Sequence, residues 1–69
     1  MHRRSVKNRI YEHRKRLDMT QYDLAKSAGV GQSTICEIEN GQSLPCIDTA
    51  LFIAHALNCT VEEVFYISD

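Results

Sequence analysis

Between Gln21 and Asn40 the chain sets two segments with a helical spacing of apolar residues on either side of a four-residue turn, Ala28-Gly29-Val30-Gly31. Neither segment is long enough to be stable alone, so each has to bury its apolar stripe against the other. Ala25 lies at the expected crossing, where a larger side chain would hold the two helices apart, while Leu24, Val30, Ile35 and Ile38 fill the angle between them. Thr20 with Asp23 three residues on has the spacing of a reciprocal N-terminal cap. Gly29 stops the first segment, because glycine adopts a left-handed backbone without a Cβ penalty. The second segment is expected from about Gln32 to Asn40, with Gly31 as a tolerable cap and Asn40-Gly41 as its stop.

The same reading extends to both sides. Ser5 is expected to cap a first helix that lines up Val6, Ile10 and Leu17 on one face and ends near Asp18. After a loop over Gln42 to Pro45, the spacing of Ile47, Leu51, Ala54 and Leu57 predicts the inner face of a fourth helix ending at Asn58. Thr60 and Glu63 repeat the capping spacing for a short fifth helix that turns Val61, Val64 and Phe65 inward. Only Phe65-Tyr66-Ile67 is apolar enough to run extended. The expectation is one all-α domain of five helices over residues 1–69, with residues 1–4 a basic arm and residues 66–69 a tail. Tyr66 and Ile67 either pair as an edge strand with a second copy or complete the monomer core.

Sixty-nine residues leave no room for a second domain, and 43% hydrophobic with 25% charged residues is ordinary for a globular chain. No apolar run approaches the roughly 20 residues of a membrane span, and residues 1–10 lack the apolar stretch of a signal peptide, so a cytoplasmic protein is expected. Cys36, Cys46 and Cys59 are odd in number and widely spaced, which favours free thiols. His55 and Cys59, one helical turn apart, lack two further nearby ligands for a metal. His2, His13 and His55 are scattered with no nucleophile spaced against them, so no enzymatic activity and no cofactor is expected. The net charge of −1 is unevenly spread: residues 1–26 hold all eight Lys and Arg against Glu12, Asp18 and Asp23, and the remainder carries six acids and no Lys or Arg. A basic first third suits phosphate, whereas the acidic remainder argues against broad adhesion to nucleic acid.

The run QYDLAKSAGVGQSTICEIENG resembles the signature of the phage repressor and Cro-type (XRE) helix-turn-helix family. The likeness covers residues 6–65, including the IENG stop, Pro45 and the segment from Thr60 to Phe65. It implies a compact five-helix repressor-like domain that binds double-stranded DNA and regulates transcription, most readily as a repressor. A homodimer is expected on symmetry grounds, since paired recognition helices about one DNA turn, roughly 34 Å, apart would read a palindrome, and no membrane or small-molecule partner is expected. At 3.6 residues per turn, Gln32, Ser33, Cys36, Glu37 and Asn40 project away from the Ile35/Ile38 face. The resemblance places Gln32, Ser33 and Glu37 on base-reading positions, where an amide and a carboxylate suit adenine and cytosine N4. It places Thr20, Gln21, Asn40 and Ser43 on phosphate-contacting positions, although Thr20, Asn40 and Ser43 also make sense as caps and turn residues alone. Arg14 falls on the apolar stripe of the first helix and needs a partner, and the resemblance supplies Glu39 as an internal ion pair.

This sequence departs from many relatives in having no Arg or Lys on the third helix or the loop after it, and in turning Glu37 toward the expected groove. Arg3, Arg4, Lys7, Arg9, Lys15, Arg16 and Lys26 are the cations that compensate. The same acidic surface motivates a rival reading, a protein-binding module such as an antitoxin-like or anti-regulator subunit on the same fold.

Overall fold

The computed structural model describes residues 4–69, so the sequence expectations that fall on His2 and Arg3 lie outside it. The elements in chain order are β1 (Ser5–Asn8), α1 (Ile10–Arg16), α2 (Gln21–Ala28), α3 (Gln32–Glu39), α4 (Ile47–Ala56), α5 (Val61–Val64) and β2 (Phe65–Ser68). Five helices are present among the described residues, but the fold is not all-α. β1 and β2 form a two-stranded antiparallel sheet in which Ser5 faces Ser68, Val6 faces Ile67, Lys7 faces Tyr66 and Asn8 faces Phe65.

The strand pairing corrects the expectation for Ser5. It does not cap a helix; it lies in β1, and α1 begins five residues later with Arg9 at its N-cap and no side-chain cap on that residue. The nearby job falls to Asn8, whose Oδ1 accepts from the Ile10 N–H (3.2 Å) while its Nδ2 donates to the Ile38 carbonyl (3.0 Å). One amide thus satisfies an orphan donor at the start of α1 and a carbonyl near the end of α3. Arg9 N–H donates to the Val64 carbonyl (2.8 Å), which fixes the sheet's exit into α1 against the end of α5.

Thr20 accepts from Asp23 N–H and Asp23 reaches back to Thr20 N–H, both at 3.0 Å, so α2 carries the full reciprocal cap; Thr60 and Glu63 do the same for α5. These hydrogen bonds from the Thr20 and Thr60 backbones hold the Asp23 and Glu63 carboxyls below the ordinary carboxylate range. The core gathers Ile10, Leu24, Ala25, Ile35, Ile38, Ile53, Ala54, Leu57 and Val64, with Val30, Val61 and Phe65 packed against it.

α4 contains the second correction. Its buried face is Ala50, Ile53, Ala54 and the C-cap residue Leu57, whereas Ile47 and Leu51 point into solvent. The helix packs against α2 and α5. Those two neighbours select a stripe rotated from the one built on Ile47 and Leu51, and Ala50 and Ala54 supply the small surfaces that a close helix crossing needs. No helix among the described residues is long and apolar enough to cross a membrane.

Candidate nucleic-acid interface

α2 leads to α3 through a turn set by backbone geometry. Gly29 has φ +76 and donates to the Ala25 carbonyl at 2.9 Å, and the Val30 N–H converges on the same oxygen at 3.0 Å. A Cβ at Gly29 would meet nothing within 4 Å, so the requirement for glycine is conformational and not a matter of space. Gly31 then caps α3 with extended backbone. Buried Ala25 and Leu24 on α2 meet buried Ile35 and Ile38 on α3, which leaves the opposite flank of α3 outward.

On that flank Gln32, Ser33, Glu37 and Asn40 are exposed and Cys36 is half-buried, its Sγ accepting from Asn40 Nδ2 at 3.5 Å. Gln32, Ser33 and Glu37 make no side-chain hydrogen bond to another described residue, so an amide, a hydroxyl and a carboxylate are presented with their donors and acceptors free. The base-reading candidates therefore share one convex polar strip about two helical turns long.

The flanks of this strip carry what α3 itself lacks. At its N-terminal end, Thr20, Gln21, Tyr22, Lys15 and Gln32 line one shallow depression, which brings two phosphate candidates beside the first base-reading candidate and adds a cation. At its C-terminal end, Lys7, Arg4 and Asn40 line another, together with Gly41 and Tyr66. Ser43 lies on the exposed loop between α3 and α4, its N–H donating to the Glu37 carbonyl at 3.3 Å. Lys15 and Lys7 thus bracket α3 from elements remote in sequence. Tyr22, exposed at the first turn of α2, escaped the sequence reading; an exposed aromatic hydroxyl just after a helix cap was the available signal.

Other cations are committed elsewhere. The Arg9 guanidinium stacks on the Tyr66 ring at 3.9 Å. Arg16 lies 3.2 Å from His13 Nδ1 and 3.6 Å from Cys59 Sγ, while His13 Nε2 donates to the Glu63 carbonyl at 2.9 Å, a set of contacts that ties α1 to the start of α5. Arg4 pairs with Asp69 at 3.2 Å across the open end of the sheet, both side chains well exposed.

Arg14 is buried, and it meets Glu39 in a two-point contact: Nε to Oε1 at 3.0 Å and NH2 to Oε2 at 2.9 Å, with NH1 donating to the Met19 carbonyl at 2.9 Å. The hydrogen bonds to Glu39, opposed by burial, push the guanidinium above its ordinary value. The pair joins α1 to the last turn of α3, Arg14 lining the depression beside Gln32 and Glu39 the one beside Asn40, and the mutual hydrogen bonds occupy both groups. Among the described residues no three His, Cys, Asp or Glu side chains stand together to hold a metal ion.

With this geometry, comparison with known proteins is decisive at the level of family. A family model described as helix-turn-helix matches residues 10–64. The chain belongs to the XRE-type helix-turn-helix family. The matched span runs from the first residue of α1 to the last of α5 and leaves out both strands. Among relatives, an uncharacterized HTH-type transcriptional regulator of Archaeoglobus fulgidus is 36% identical over 93% of this chain and 90% of its own length. The uncharacterized HTH-type transcriptional regulator MJ0272 of Methanocaldococcus jannaschii is also 36% identical, over 93% of this chain and 97% of its own. The phage CTXphi transcriptional repressor RstR of Vibrio cholerae is 29% identical over 86% of this chain and 53% of its own. In this helix-turn-helix chain α2 and α3, joined by the Gly29 turn, are therefore the two helices of the motif.

Proposed function

We propose that this helix-turn-helix protein is a DNA-binding regulator of transcription that reads sequence with α3 in the major groove and acts as a repressor in the cytoplasm. The observation that carries the reading is the uncovered polar strip of Gln32, Ser33 and Glu37 bracketed by Lys15 and Lys7. A strip of this kind offers a bidentate amide for adenine and a carboxylate for cytosine N4. Thr20, Gln21 and Tyr22 at one end and Asn40 and Ser43 at the other then hold phosphates and set the register of the helix in the groove. Arg14 and Glu39 act as scaffold between the two helices that carry them.

Few cations reach the strip, so phosphate contacts are few, affinity per subunit is modest, and salt dependence is shallow. A homodimer reading a two-fold symmetric site multiplies that modest affinity. The test is selection of bound duplexes from a random pool at two salt concentrations. The expected result is a recurrent short motif, with Lys7→Ala and Lys15→Ala each lowering the slope of affinity against salt by about one. A pool that stays random at low salt would reject the regulator reading in favour of the protein-binding module.

A further inference from the structure

The outward side of α4 exposes Ile47, Leu51 and Phe52 beside Asp48 and His55, more apolar surface than a solvent-facing helix ordinarily carries. Ile47 and Leu51 lie one turn apart on it, and Ile47 lines an apolar groove with Val6, Leu44 and Pro45. Val6 in turn stands directly opposite Ile67 across the sheet, which places both on the same face. Val6 is 45% exposed, Leu44 68%, Ile47 74%, Leu51 52% and Ile67 59%. Together they leave on the order of 500 Å² of apolar surface in water, at the upper end of what a monomer of ordinary size carries and large for a chain this small. No residue between Gln42 and Ile47 is charged, and Asp48 is the one acidic residue of α4.

We infer that this face, formed by Leu44, Ile47 and Leu51 with Val6 and Ile67, is where a second copy of the chain docks. The inference rests on the regulator reading above and supplies the partner surface that reading needs. A patch matched to itself about a two-fold axis closes after two copies, which suits a surface of this size better than an open-ended contact. Doubling it removes about 1,000 Å² of surface, the level at which a specific interface becomes sustainable. Its composition, aliphatic at the centre with Asp48 beside it, is that of an interface core with a polar rim. None of Gln32, Ser33 and Glu37 lines it, so docking there leaves both recognition helices uncovered. Leu44 directly follows Ser43, so the contact begins where the candidate phosphate-holding loop ends and rigidly fixes the spacing of the two α3 helices. Pairing through the free sheet edge instead would use main-chain hydrogen bonds of β1 or β2 and would not depend on Ile47 or Leu51.

Sedimentation equilibrium of the full chain tests this directly. The wild type is expected at twice its 7.9 kDa mass at micromolar concentration. Ile47→Glu and Leu51→Glu are expected to weaken the dimer at least tenfold each while keeping the helical circular dichroism of the wild type, because neither side chain belongs to the core of the subunit. A wild type that remains monomeric throughout, or a dimer that survives both substitutions, overturns the inference; survival of both points to edge pairing. The DNA selection separates the two failures. A chain that selects a motif but dimerises independently of Ile47 and Leu51 keeps its regulator reading and loses this interface. A chain that selects nothing yet dissociates on Ile47→Glu keeps the interface and loses the regulator reading.

Discussion

Removing Glu39 should cost this domain most of its stability, although its side-chain hydrogen bonds all go to Arg14. Glu39→Ala deletes both acceptors at 3.0 and 2.9 Å and leaves the buried Arg14 guanidinium with the Met19 carbonyl as its remaining partner. Hydrogen bonds to charged groups contribute about 1.5–3 kcal/mol each, so two lost bonds give roughly 3–6 kcal/mol. That brackets the roughly 3–5 kcal/mol found when a buried ion pair is broken from one side. At about 0.05–0.15 kcal/mol per residue a chain of this length has roughly 3–10 kcal/mol in total, so Glu39→Ala is expected at or near the unfolding threshold. Glu39→Gln keeps one acceptor and should lie between it and the wild type, measurable where the alanine variant is not. Replacing both partners, Arg14→Met with Glu39→Leu, removes the charge that would be stranded and should return to within about 1 kcal/mol of the wild type. Urea unfolding followed by circular dichroism closes the cycle. A Glu39→Gln loss below about 0.5 kcal/mol, or a double variant as unstable as the sum of its singles, would show that the pair is not the internal weld described here.

Three further outcomes are expected. Gly29→Ala should lower stability by roughly 1–2 kcal/mol through its left-handed backbone alone, whereas Gly31→Ala, whose Cβ would sit 3.7 Å from Thr34 Oγ1, should change the melting temperature little. Asp23 and Glu63 have folded-state carboxyl values held below their unfolded ones, so their contribution is complete above the ordinary carboxylate range and is lost as pH falls through the folded values. Thermal melts should therefore drop between about pH 5 and pH 2, and Asp23→Asn with Glu63→Gln should flatten that drop. Gln32→Ala should leave melting unchanged but relax the selected motif at one base pair by about 1–3 kcal/mol, read by competition between duplexes; an unchanged motif would remove Gln32 from the base-reading set.

The helix caps were legible because their physics is local. Thr20 with Asp23, Thr60 with Glu63 and the Gly29 stop each need only a few consecutive residues, and each forms where the spacing put it. The polar strip of α3 followed from helical periodicity once Ile35 and Ile38 were read as buried. Ser5 was misread because its true environment depends on residues 65–68, more than 60 positions away, and no local pattern encodes that partner. α4 was misread for a different reason: Ile47, Leu51, Phe52, Ile53 and Leu57 are spread round the helix, so more than one stripe fits and only the packing of α2 and α5 chooses. The ambiguity and the exposed face have the same origin, since a helix apolar on two sides has something left over after the core is filled. Likewise the cations bracketing α3 come from β1 and α1, and only the tertiary fold reveals that Lys7 and Lys15 lie at its two ends.

Because β1 and β2 join opposite ends of the chain, the sheet is a clasp that shuts late. Every residue of the central apolar cluster falls between Ile10 and Val64, so the helices hold the core without the strands, while β1 and β2 must find each other across almost the whole chain. Loosening that clasp would free both ends of the chain and bare Val6 and Ile67 while leaving the helical core filled.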